Sequence, residues 1–358
     1  MMTTQATKEK NFYATAWEAS QGRAASELPA WAARLRERAF ETFEQKGFPT
    51  TDDEDWKYTN LAPIARATFA LPAESLRDEA AAARPQDFFY DESANTRLVF
   101  VNGLFRRDLS SLEGVPEGIV ISDLRAALSG EHEPLVREHL GRIVAAESDA
   151  TAALNTAFLE SGAFVYLPAD ASLPAPLHLL FLSGDAGGQL LVSPRVLVVA
   201  GRGSSATIIE SYEAVSESAY FTNSVAEVFV GEGARVVHYK VQREGEAAFH
   251  IAATGARLAR GGSYDLTTIT LGARLSRHGI NVLMAEEGAE CWVDGLYLTG
   301  TGQHADTHST IDHIAPRCAS HQLYKGILDG KSRAVFNGKV FVRRDAQQTD
   351  ARQTNKNL

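Results

Sequence analysis

The feature that most constrains this chain is a small-residue corner recurring at nearly even intervals through its C-terminal half. Arg202-Gly203-Ser204-Ser205 is followed by Gly231-Glu232-Gly233-Ala234, Arg260-Gly261-Gly262-Ser263 and Glu287-Gly288-Ala289-Glu290. Gly203, Gly233, Gly262 and Gly288 mark the even series; another corner, Asp329-Gly330-Lys331-Ser332, follows after a wider gap. Similar units at a spacing of roughly 20–50 residues mark a stacked or solenoidal architecture. Each corner leads into an extended run rich in β-branched and aromatic residues, as in Thr207-Ile208-Ile209-Glu210-Ser211-Tyr212. Glycine suits such corners because it reaches positive φ without a Cβ clash. The stretch 193–358 therefore reads as a mainly β core of stacked strands.

The sequence before it divides in two. Residues 1–90 read as a helical domain. After Leu28-Pro29, the residues Trp31, Leu35, Ala39, Phe40 and Phe43 recur at close to the helical period, with Arg34, Arg36, Glu37 and Glu41 between them. Gly47 with Phe48-Pro49 supplies the stop. An acidic turn, Asp52-Asp53-Glu54-Asp55, leads into Trp56-Lys57-Tyr58-Thr59, and Ala80 to Pro85 reads as an alanine-rich linker. Residues 91–192 form a mixed lead-in. Strands are predicted from Arg97, at Phe164 to Leu167 and at Leu177 to Leu182, and helices over 122–128, 135–146 and 153–158. Within the core, Val237, Tyr239 and Val241 share one strand face, and Val236, His238, Lys240 and Gln242 the other.

Composition excludes several classes. A net charge of −10 over 358 residues argues against DNA or RNA as the main partner. The late basic residues Arg343, Arg344, Arg352 and Lys356 fit a solvated strand edge. Two cysteines, Cys291 and Cys318, cannot form a disulfide framework and fit a reducing cytosol. The first eleven residues are polar, without the apolar core of a signal peptide, and no apolar run approaches membrane-helix length. These points predict a cytoplasmic protein. A stacked coil leaves strand edges that need covering, which favours an oligomer; the sequence leaves open whether a homodimer forms. The end, Asn357-Leu358, falls inside strand-like sequence and predicts a chain cut short.

The densest chemical cluster is His304, Asp306, His308, Asp312, His313, Cys318 and His321. His304-x3-His308 would share a helix face, but the Gly/Thr/Ser flanks predict a strand. The two rings would then lie about 13 Å apart, too far to share one ion. Cys318 is either a nucleophile or iron ligand, or a small buried hydrophobe. A carbohydrate-active β-helix enzyme would need clustered acids, for which Asp294, Asp306 and Asp312 are the candidates. Gly330-Lys331-Ser332 lacks the earlier glycine of a phosphate loop, and no Gly-x-Ser-x-Gly elbow occurs.

Several ordered segments resemble the SufB/SufD family of iron–sulfur cluster assembly proteins, and its SufD branch in particular. They include Asp55-Trp56-Lys57-Tyr58-Thr59-Asn60-Leu61, Phe100-Val101-Asn102-Gly103, Leu154-Asn155-Thr156-Ala157-Phe158 and Pro194-Arg195-Val196. Further matches are His313-Ile314-Ala315-Pro316-Arg317-Cys318, Gln322-Leu323-Tyr324-Lys325-Gly326, Lys331-Ser332-Arg333-Ala334-Val335-Phe336-Asn337-Gly338 and Gln347-Gln348-Thr349-Asp350. The resemblance implies a right-handed parallel β-helix between N-terminal and C-terminal helical domains, the latter missing here. It also implies no enzymatic activity of the subunit's own, edge-to-edge pairing with a SufB-like paralogue and docking of a SufC-like ATPase. The family's Cys-Ser-His-Gly motif and ATPase-docking helices lie beyond Leu358, which puts docking by this chain in doubt. An iron–sulfur cluster would be a transient cargo shared with the paralogue. Cys318, His313 and His321 are the candidate iron or interface contacts, and the sequence assigns no flavin.

Overall fold

The computed structural model describes residues 12–72, 85–184 and 189–358; the expected linker falls almost wholly outside them. Six helices lie among the described residues: α1 (Phe12–Glu27), α2 (Ala30–Lys46), α3 (Ala62–Arg66), α4 (Leu124–Ala127), α5 (Glu133–His139) and α6 (Ala150–Ala157). The early strands are β1 (Thr96–Val101), β2 (Leu104–Phe105), β3 (Ser111–Leu112), β4 (Val120–Asp123), β5 (Ser161–Leu167), β6 (Leu177–Ser183), β7 (Leu191–Val192) and β8 (Pro194–Ala200). From there the chain is strand and corner only. It runs through β9 (Ser205–Ala214), β10 (Phe221–Val230), β11 (Arg235–Arg243), β12 (Phe249–Leu258), β13 (Ser263–Thr270) and β14 (Leu275–Met284). The last five strands are β15 (Glu290–Thr299), β16 (His304–His313), β17 (Ala319–Leu328), β18 (Arg333–Val342) and β19 (Asp350–Asn357).

From β8 onward successive strands alternate between two sheets, and the whole forms a parallel β-solenoid of about seven turns. The first sheet runs β19-β17-β15-β13-β11-β9-β6-β1-β2, and the second β18-β16-β14-β12-β10-β8-β5-β4. The long pairs are parallel and in register, as in Lys240 beside Glu210 and Thr268. Antiparallel pairing occurs only at the start, where β1 meets β2 and β3, and β4 meets β5. The stack thus reaches back to Thr96, well before Ser193.

The corners explain the period. Between second-sheet and first-sheet strands, a left-handed residue recurs at Gly203, Gly233, Gly261, Gly288, Arg317 and Gln348, once per coil. The amide of each of the first five donates to a carbonyl one coil on, from Gly203 to Glu232 through Arg317 to Gln347, at 2.8–3.2 Å. Gly261, not Gly262, occupies this position. The wider gap before Gly330 arises because that glycine belongs to the opposite corner series, with Ala273 and Gly302. Arg317 and Gln348 hold the left-handed position without being glycine, so a glycine count misses those coils.

The helical cap packs on the outer face of the second sheet. Tyr13, Phe40, Phe43, Trp56 and Phe69 share a buried cluster with Phe221, Phe249, Ile251 and Leu275. Gly47 ends α2, its amide donating to Phe43. One expected surface charge is not on the surface. Arg36 is buried, its Nε donating to the Ala157 carbonyl at 2.7 Å and its guanidinium lying over Trp17. In the lead-in, β4 takes residues 122 and 123, Asp123 caps α4, and the expected helix over 135–146 stops at His139.

Candidate functional site

The histidine-rich segment is strand β16, as its flanks predict, and the pleat divides its residues between two environments. His304, Asp306, His308 and Asp312 point outward; His313 points into the lumen. Asp306 is the hub of the outer group. It accepts from Thr59 and from the Arg277 guanidinium, and its other oxygen is 3.1 Å from His308 Nε2. His304 Nε2 is 3.1 Å from the Thr59 hydroxyl. Arg277 also donates to the Asp55 carbonyl at 2.6 Å and lies 3.9 Å over the Trp56 ring, while Lys339 pairs with the Asp55 carboxylate at 2.7 Å. The acidic turn and the Trp56–Thr59 segment therefore form a strap across β14, β16 and β18. Burial would raise the Asp306 carboxyl, but the close His308 imidazole and the Arg277 charge outweigh it and hold it below the usual range. The strap's own Asp55 is lowered mainly by its hydrogen bond from Lys339.

The three sequence-predicted site residues do not face one another. Cys318 is buried at the corner before β17, its Sγ 3.4 Å from the Glu286 carbonyl, and burial pushes its thiol up. His313 is fully buried, its Nε2 2.9 Å from the Ser320 hydroxyl, and burial depresses its imidazole. His321 lies on the outer side of β17, stacked on Trp292 with centroids 5.5 Å apart. Among the described residues no group of three or more His, Cys, Asp or Glu side chains is placed to hold a metal ion.

The middle coils carry an ionic cluster inside the lumen. On β11 the inward face is Val236, His238, Lys240 and Gln242, the charged face of the alternation. Glu210 receives Lys240 Nζ at 2.9 Å, the Tyr212 hydroxyl at 2.7 Å and His238 Nε2 at 3.0 Å, and His238 Nδ1 is 2.9 Å from the Tyr264 hydroxyl. Beside it, Glu244 binds Thr222, Gln242 and His250, and His278 bonds Thr254. Burial would raise the Glu210 carboxyl, but the Lys240 ammonium and the bonds from His238 and Tyr212 hold it well below its ordinary value. Burial pushes the imidazoles of His250 and His278 down. Such groups persist inside a fold only when paired, and here nearly every charge meets its partner.

With that geometry in place, comparison with known proteins identifies the lineage. A family model described as the SufBD core domain of SUF-system iron–sulfur cluster assembly matches residues 181–358, and a SufBD N-terminal region model matches 7–179. The chain belongs to the SufBD family. An iron–sulfur cluster assembly SufBD family protein of Synechocystis sp. is 36% identical over 318 residues, covering 87% of this chain and 69% of that protein. The chloroplastic protein ABCI7 of Arabidopsis thaliana is 28% identical over 332 residues, 91% of this chain and 68% of its own. Iron–sulfur cluster assembly protein SufD of Escherichia coli is 26% identical over 315 residues, 87% and 70% of the two chains.

The SufBD fold also disperses the acids of the carbohydrate-enzyme reading. Asp294 lies on the first sheet, its carboxylate accepting from the Leu323 amide. Asp306 and Asp312 lie on the second, one under the strap and the other paired with Arg343 at 2.7 Å. The two sheets turn their outer faces apart, which separates Asp294 from the other two, and Asp306 and Asp312, on one extended strand, lie about 20 Å apart. Sequence reasoning missed Glu210, Lys240, Glu244, His250 and His278. The signal was present in the β11 alternation, but a polar strand face is ordinarily the solvent face, and only the closed coil turns it inward.

Proposed function

We propose that this chain is a non-catalytic scaffold subunit of the SUF iron–sulfur cluster assembly machinery, working in the cytoplasm beside a SufB-like paralogue and a SufC-like ATPase. The observation that carries this reading is the match of both SufBD family models, together spanning nearly the whole chain, to a chain folded as a parallel β-solenoid. A stacked coil is held by main-chain hydrogen bonds between strands, so a paralogue with the same coil would pair with it by adding a strand at an open edge. The cluster is cargo in this scheme, held transiently between subunits. His321, on the outer side of β17, and the lumenal Cys318 and His313 are the candidate iron or interface contacts.

Co-expression with the paralogue and the ATPase, followed by gel filtration and mass measurement, tests the proposal. A peak containing the paralogue and this chain supports it. If the paralogue elutes alone, both with this chain and with a version extended by a family-type C-terminal region, the scaffold reading is wrong. ATPase in the extended complex alone would assign ATPase docking to the added region.

A further inference from the structure

The chain carries a net charge of −10, yet four arginines converge on one pocket of about 360 Å³ in the helical cap. Arg34 and Arg38 come from α2, one turn apart on the same face; Arg137 comes from α5 and Arg142 from the loop after it. Apart from a bond between Arg142 Nε and the Glu138 carbonyl, the four side chains have no ion-pair or hydrogen-bond partner among the described residues. Glu147 is the one acid in the lining. Between the arginines lie Trp31, Leu35 and Leu140, and the Trp31 Nε1–H is buried without a partner. Surface arginines ordinarily find carboxylates; four unpaired ones around an indole leave both a positive potential and an unused donor.

The pocket is also preformed. The amides of Gly141, Ile143 and Val144 donate to the Glu227 carboxylate at 2.8, 2.9 and 3.1 Å. Glu227 is itself held by the buried Arg195 at 2.5 Å. The loop that presents Arg142 is therefore fixed to the solenoid before any ligand arrives, which lowers the ordering cost of binding.

We propose that this pocket binds a nucleoside polyphosphate. Guanidinium groups match phosphate oxygens in bidentate pairs, and the indole with its flanking leucines offers a flat apolar wall to a base. A volume of this size suits a small ligand rather than a folded partner.

The test is calorimetric titration of the full chain with ADP, inorganic pyrophosphate and adenosine separately, at low and high salt. The expected result is that ADP binds more tightly than either part and weakens with salt. Arg38→Glu with Arg137→Glu weakens ADP at least tenfold, and the milder Arg38→Gln with Arg137→Gln several-fold; both side chains are exposed, and circular dichroism checks the fold. Trp31→Leu reduces ADP to the affinity of pyrophosphate and leaves pyrophosphate unchanged. Pyrophosphate binding as tightly as ADP would reduce the site to a plain anion site and overturn the nucleoside assignment. No ADP binding, or binding indifferent to the arginine changes, would overturn the pocket itself.

Discussion

The two outer faces of the solenoid are made by the same strand alternation and meet opposite fates. The second sheet is covered by α2, α6, the strap and the α4–α5 region, and under that cover two outward pairs of charges are buried together: Arg195 with Glu227, Arg277 with Asp306. Among the described residues the first sheet is covered only near its start, where Phe88, Phe89 and Tyr90 lie over β1 and β6. From β11 onward it presents Tyr239, Leu298, Leu323 and Ile327 at 37–45% exposure. The difference teaches that cover on this fold is recorded by paired buried charge. Apolar outward residues occur on both faces and do not discriminate.

Breaking the covered face has the largest expected effect. Arg195→Ala leaves the fully buried Glu227 without its counter-ion and should cost about 3–5 kcal/mol. Urea unfolding measures it, and a loss under about 1 kcal/mol, the size of one ordinary hydrogen bond, would mean that the loop amides alone satisfy Glu227. Next comes the strap. Arg277→Ala removes the donor that joins Asp306 to the Asp55 carbonyl, at about 2–3 kcal/mol. Hydrogen exchange should then rise at residues 55–59 and leave the far coils unchanged.

A smaller effect sharpens the comparison within the first sheet. His178, sealed beneath Tyr90, has its imidazole pushed down to about 3, first by burial and then by the Arg97 and Arg243 charges. Its folded value lies below the unfolded one, so stability is fully present above the unfolded value near 6.5 and is lost as pH falls toward 3. Between pH 6.5 and 5.5 this one imidazole should remove about 1 kcal/mol, and His178→Gln should flatten that part of the profile. On the open face, Leu323→Ser should change stability by no more than about 0.5 kcal/mol. A loss of about 2 kcal/mol or more, the scale of truncating a buried leucine, would show that this face is covered in solution.

The repeat and the extended state of the His304–His313 segment were legible because period and turn chemistry act locally. The start of the stack at β1 was less so. Its first coils are interrupted by α4 to α6, and their register depends on partners far apart in sequence, such as His178 beside Arg97. Arg36 reads as a solvent charge until Ala157 is known to lie beside it. The lumenal charges were hidden for a similar reason. Val237, Tyr239 and Val241 make the more apolar face of β11, yet closure of the coil turns His238, Lys240 and Gln242 inward, where Glu210 and Glu244 neutralise and bond them.

The scaffold account expects strand pairing between paralogues at the late coils, and hydrogen exchange with and without the SufB-like paralogue addresses it most directly. The account expects new amide protection in Asp350–Asn357 and Arg333–Val342 on mixing, with no change across β11 and β13. Protection confined to the open outer face, with the β18 and β19 edges still exchanging freely, would contradict it.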